Sequence, residues 1–191
     1  MNSTIERITL PGGVHLSRIE LRNQHNRWYG NIILEHGVKA SKDILGWETW
    51  GRYYSITDWG NFSYAWYFVG AKRFEDFIRE CAEDAAVGSE YMLKKLCPHE
   101  CNVFLLPESK KAAAERLSEE HEEGMCDEAY KAAIDALECV SNEQELYDWY
   151  NDELQDPDGY ENFEHGLSIT ARGYRDNVLP LLAEVLRNEY R

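Results

Sequence analysis

The sequence predicts an α+β protein: an N-terminal antiparallel sheet packed against amphipathic helices, followed by an acidic helical C-terminal region. Three observations predict it. The first third is rich in Ile, Leu, Thr and aromatic residues, in short runs separated by turn formers. From residue 74 onward apolar residues recur at three- and four-residue intervals. Strands gathered ahead of helices, instead of alternating with them, favour α+β over the parallel βαβ pattern.

The runs STIERITL (3–10), VHLSRIELR (14–22) and RWYGNIILE (27–35) read as strands, punctuated by PGG and NQHN. Residues 52–70, RYYSITDWGNFSYAWYFVG, fold as two further strands about a tight turn at Asp58, Trp59, Gly60 and Asn61. In the second of these strands Phe62, Tyr64, Trp66 and Phe68 share a face at period two, an aromatic surface that something must cover. The cover follows at once. In KRFEDFIRECA (72–82), Phe74, Phe77, Ile78, Cys81 and Ala82 recur at i, i+3, i+4, i+7 and i+8, the apolar stripe of a helix. A shorter helix in SEYMLKKLC (89–97) takes Ser89 as its cap, and NVFLL (102–106) reads as a buried strand.

Beyond Pro107 the chain reads as helical. ESKKAAAERLSEEHEEG (108–124) is a surface helix closed by Gly124. CDEAYKAAIDALECV (126–140) places Tyr130, Ala133, Ile134 and Leu137 on one face after an Asp127 cap, and Ser141 with Gln144 forms a capping-box pattern for the next helix. A DPDG turn follows. Over 169–189, Tyr174, Val178, Leu181, Leu182 and Val185 form one stripe, and Pro180 must kink that helix or sit in its first turn. Residues 1–106 are thus expected as an α+β core and 107–191 as an acidic helical region packed on it.

The N-terminus MNSTIERITLPGG lacks the basic start and long apolar run of a secretory signal, and no apolar run is long enough to span a bilayer. A cytoplasmic location is expected, the host cytoplasm for a phage-encoded chain. Five cysteines, an odd number, point to reduced thiols.

Charge is the strongest global feature. The net charge is −15, unevenly placed: residues 1–73 carry nine basic and six acidic residues, a net of +3, and residues 74–191 carry eleven basic and twenty-nine acidic, a net of −18. Such a field repels nucleic acid and anionic membrane and attracts basic protein surfaces. Direct nucleic-acid contact, for which Arg18, Arg22 and Arg27 are the available residues, is not expected.

Motifs for chemistry are weak. CPHEC (97–101), with Cys126 or His121, offers zinc-ligand types, but Cys97 and Cys101 are not at the usual C-x₂-C spacing and no second pair follows. DPDGYENFE fails as a calcium loop, because Leu154 and His165 would occupy its two end-ligand positions. His15, His25, His36, His99, His121 and His165 are scattered outside any known catalytic frame, with no phosphate-cradling glycine loop and no H-E-x-x-H. No metal, cofactor or catalytic residue is expected; an enzyme of unfamiliar type would need a deep polar pocket with coupled His and carboxylate groups.

YYSITDWGNFSYAWYFVG, FEDFIREC and YMLKKLC together resemble a recurring pattern in bacteriophage and prophage accessory proteins, over roughly residues 50–97. The resemblance carries no catalytic residues. It implies a context in which small early proteins interfere with host machinery or defence.

The stretch 142–165 lies outside that resemblance and contains no Lys or Arg. Glu143, Glu145, Asp148, Asp152, Glu153, Asp156, Asp158, Glu161 and Glu164, with Trp149 among them, form the candidate partner-binding surface, although Trp149 also falls with Leu146 and Tyr150 on what reads as the core face of that helix. A merely solvated face usually mixes charge signs, since like charges at i, i+4 repel by a few tenths of a kcal/mol. Carboxylates on a helix that rises ~5.4 Å per turn can follow the phosphates of a nucleic-acid strand. The function expected is that of a phage-type inhibitor, a DNA mimic with an anti-CRISPR-like or other anti-defence role. It would occupy a basic, nucleic-acid-binding groove of a host or defence protein. The alternative is a regulatory interaction module that uses the aromatic-rich sheet, a surface also available for homodimer formation.

Overall fold

The structure, a computed structural model, describes residues 3–23, 28–40, 47–70 and 72–189. It divides into two compact units, residues 1–101 with 169–191, and residues 102–168.

In the first unit β1 (Thr4–Leu10), β2 (Val14–Asn23), β3 (Trp28–Ala40), β4 (Trp47–Thr57) and β5 (Gly60–Trp66) form an antiparallel meander in chain order. Gly12 and Gly13 both take positive φ in the β1–β2 turn, which a PGG sequence supplies without strain. Asp58 and Trp59 alone link β4 to β5, with Thr57 paired to Gly60. The NQHN turn and Arg27 fall almost wholly outside the described residues. Alternation at period two buries Ser17, Ile19 and Leu21, then Ile32 and Leu34, then Tyr53 and Ser55.

The cover is α1 (Phe74–Ala86), with α2 (Tyr91–Leu96) beside β5, and the C-terminal helices. Phe77 meets Trp66 edge-on at 5.6 Å between centroids, and Tyr174 meets Phe62 at 4.7 Å. A Cβ on Gly51 would stand 2.3 Å from the Phe74 ring, so the glycine in β4 is what lets that ring lie against the strand. The predicted aromatic face ends one residue pair early: β5 stops at Trp66, and Phe68 is 57% exposed. Ser89 is not the α2 cap; it accepts a long bond from Tyr91 N–H (3.4 Å), one position before Glu90.

The C-terminal stripe is α6 (Ile169–Gly173), a π-helical turn (Tyr174–Val178) and α7 (Leu179–Asn188). Pro180 sits in the first turn of α7, where a missing N–H is tolerated. The sequence suggests a single division at 106/107. The units instead divide at 101/102 and again at 168/169. α7 packs along α1, so its apolar stripe belongs to the core of the sheet unit.

The second unit holds α3 (Leu106–Glu122), α4 (Asp127–Cys139) and α5 (Glu143–Glu153), a 3-10 turn (Gly159–Asn162), and a two-residue ladder of β6 (Val103–Phe104) with β7 (His165–Gly166). It has its own core: Ala113, Leu117, Ala133, Leu137, Val140, Leu146, Trp149 and Tyr150. Two caps differ from expectation. Asp127 is the first residue of α4 and binds His121 Nε2 (2.9 Å), while Cys126 holds the cap position without a side-chain bond. At α5 the capping box is shifted by one residue: Asn142 Oδ1 accepts from Glu145 N–H (3.0 Å), and the Glu145 carboxylate accepts from Ser141 N–H (2.7 Å).

Candidate functional site

Counting by unit concentrates the charge. Residues 102–168 contain nineteen acidic and four basic residues, a net of −15, whereas the sheet unit contains sixteen of each and is neutral. Three of the four cations are engaged in or near α3. Lys110 Nζ donates to the Glu138 and Val140 carbonyls at the C-terminal end of α4, Lys111 pairs with Glu115, and Arg116 with Glu119 and Glu120. Among the described residues, none of the nine carboxylates of the candidate stretch forms an ion pair.

α5 decides which of them act together. Glu145, Asp148 and Asp152 stand at i, i+3 and i+7, one helix face extending ~10.5 Å. With Glu153 they border a shallow groove of about 280 Å³ whose other wall is Ala136, Cys139 and Val140 of α4. Asp148 accepts from Gln144 Nε2 (2.9 Å). The bonds from Ser141 hold the Glu145 carboxyl below the usual carboxylate range, so it stays charged. Glu143 lies apart, in a second hollow with Tyr147, Tyr160 and Phe163. Asp156 and Asp158 share a turn in which Asp156 Oδ1 accepts from Asp158 N–H (3.1 Å), with Gly159 pressed against the Tyr150 ring. Glu161 and Glu164 are exposed, while the Glu164 backbone is strapped to α3 through Ser109 Oγ (2.8 Å).

Trp149 is a correction. It is 4% exposed, belongs to the core and donates Nε1–H to the Ala133 carbonyl (3.0 Å). It shapes the surface from beneath and does not present itself to a partner. The exposed aromatic of this unit is Tyr160, at 51%.

The remaining sequence candidates resolve simply. Cys97 and Cys101 are buried and bonded to each other's segment, Cys101 Sγ to the Cys97 carbonyl (3.3 Å), and burial pushes the Cys97 thiol up to about 12. Both belong to the sheet unit, whereas His121 and Cys126 belong to the other; His121 stacks on Tyr130. Among the described residues no group of three or more His, Cys, Asp or Glu is placed to hold a metal ion. Arg18 and Arg22 are engaged with Glu20, and Arg27 lies outside the described residues. His15 and His36, scattered in sequence, are direct cross-strand partners of β2 and β3 with ring centroids 5.4 Å apart. Only strand register brings them together. Glu75 beside the apolar stripe of α1, 1% exposed, was the remaining signal for a polar site there.

A model described as a phage family matches the chain over residues 17–188, far beyond the 50–97 stretch that carries the resemblance. No curated protein and no solved structure matches it. Among the described residues no helix is long and apolar enough to cross a membrane.

Proposed function

We propose, for a chain that belongs to a phage protein family, a role as an inhibitor whose acidic unit docks into a basic, nucleic-acid-binding groove of a host or defence protein. The observation that carries this reading is the segregation of charge: one unit of 67 residues holds the whole net −15, and the other is neutral. Charge needed only for solubility gains nothing by being confined to one unit. The α5 row of Glu145, Asp148 and Asp152 supplies spaced carboxylates on a rigid element, and the buried Trp149 fixes that element to its core.

The experiment is capture of the partner from host lysate on the full-length protein, followed by affinity measurement at rising salt. Affinity should fall steeply with salt, and replacing Asp148, Asp152, Asp156 and Asp158 by Asn should weaken it by more than about tenfold. An affinity indifferent to both rejects the inhibitor reading.

A second reading has its own observation. The sheet face opposite α1 exposes Ile33 (37%), Tyr54 (40%) and Ile56 (63%), with Ile33 and Tyr54 directly paired across β3 and β4. This is a surface for an interaction module that uses the sheet. Under it, Tyr54→Ser with Ile56→Ser abolishes capture and the four Asn changes do not.

A further inference from the structure

At the end of the sheet where β1 turns into β2, four strands and the first turn of α1 enclose a cavity of about 390 Å³, within the size range of small-molecule sites. Its innermost charge is Glu75. That carboxylate is already answered: Oε1 accepts from Ser17 Oγ (2.6 Å) and Arg7 Nε (3.1 Å), and Oε2 from Arg73 Nη2 (2.8 Å). Arg7 also reaches Glu189 (2.8 Å), so two guanidiniums and two carboxylates balance.

The unanswered groups are different ones. His36 lines the cavity and forms no hydrogen bond through either ring nitrogen among the described residues. The Thr49 hydroxyl, in a residue only 7% exposed, likewise has no partner among them. His15 uses Nδ1 toward Thr9 Oγ1 (3.1 Å), which leaves Nε2. His15 is exposed and His36 half-buried, so these polar atoms are open to the cavity and available to a ligand that enters it.

We propose that this cavity binds a small organic phosphate, with the phosphoryl oxygens against His15, His36 and Thr49, the guanidiniums of Arg7 and Arg73 at the mouth, and the organic part on Val38 and Phe74. Every unsatisfied group is a donor or becomes one on protonation, which calls for an anion. Converging from three strands, with the two guanidiniums at the mouth, they suit a phosphoryl group, which carries more acceptor oxygens and more charge than a carboxylate. The surroundings favour a neutral imidazole: burial, His15, Arg73 and Arg7 all push the His36 pKa below its ordinary value, and Glu75 only partly opposes them. A bound phosphate reverses that balance, so binding takes up protons and weakens as pH rises through the imidazole range.

The test is imidazole NMR of the full-length protein titrated with phenyl phosphate, benzoate and phenol. Phenyl phosphate is expected to shift the His15 and His36 ring signals saturably and to raise the His36 pKa. Its affinity should fall about tenfold from pH 5.5 to 7.5, with benzoate and phenol weaker by at least a similar factor. His36→Gln and Thr49→Val should each weaken binding several-fold while the amide spectrum stays native; Thr49→Val keeps the test open if the histidine variant fails to fold. The four Asn changes in the acidic unit should leave this binding unchanged. Absence of a saturable ring shift, equal binding of benzoate, or indifference to Thr49→Val overturns the proposal.

Discussion

Asp152→Lys turns the like-charge row on α5 into a direct stability measurement. Asp152 is exposed, lies one helical turn after Asp148 and one residue before the end of the helix, and has no hydrogen-bond or ion-pair partner among the described residues. The change removes one i, i+4 repulsion and creates one acid-before-base attraction, each about 0.2–0.5 kcal/mol. A cation in the last turn complements the helix dipole by about 0.3 kcal/mol or more, and Lys is a better helix former than Asp by a few tenths. Together these give a gain of about 1 kcal/mol at low salt. Urea denaturation followed by helical circular dichroism would read it as a higher midpoint at unchanged slope, in a chain of this size equivalent to about 2–4 °C in Tm. The gain should shrink in 0.5 M NaCl, and the same variant should bind the captured partner more weakly. A midpoint unchanged or lowered at low salt would show that the carboxylates do not repel one another, and the argument that their retention reflects function would fail.

Other consequences concern the scaffold. Trp149→Ala removes a buried ring and its bond to Ala133, and should destabilise the acidic unit by about 3–5 kcal/mol in the same assay; a loss below 1 kcal/mol would contradict its core placement. Gly173→Ala would set a Cβ 2.1 Å from the Trp59 ring, so a cost of about 1–3 kcal/mol is expected, and a neutral result would mean that ring is not seated there. For pH, two groups act in the same sense. The His36 pKa is depressed from 6.5, so its contribution is complete above that value and is lost as pH falls below it; Glu83, held down by Arg187 and Arg79, loses its contribution as pH falls below 4.5. Urea midpoints should therefore fall on acidification from pH 7, less so in His36→Gln, and a midpoint that rises would reverse the signs.

Much of the fold was written locally. The β-branched and aromatic runs, the PGG and DWGN turns and the stripe of α1 each carry their own periodicity, and the structure places strands and helix there. What failed was competition between near-equivalent residues or dependence on tertiary contacts. Ser141 and Asn142 are both good caps with a Glu or Gln three residues later, and the carboxylate of Glu145 decides between them. The return of residues 169–189 to the sheet depends on Tyr174 meeting Phe62 and on the buried hydroxyl pair of Tyr53 and Tyr174, which no sequence window contains. Trp149 sits in an acidic stretch yet also on the Leu146–Tyr150 core face; the helical period had priority over the composition. The polar cavity was hidden for the same reason as the C-terminal return: Glu75 lies 58 residues from Ser17 and 68 from Arg7.

The most direct test of the acidic unit as a docking surface is competition. The partner captured from lysate is first loaded with labelled duplex DNA, and the full-length protein is then titrated in. A protein that occupies the nucleic-acid groove releases the DNA one for one, and the version with Asn at 148, 152, 156 and 158 releases it only at much higher concentration. A stable ternary complex, with DNA retained while the protein is bound, would contradict the account.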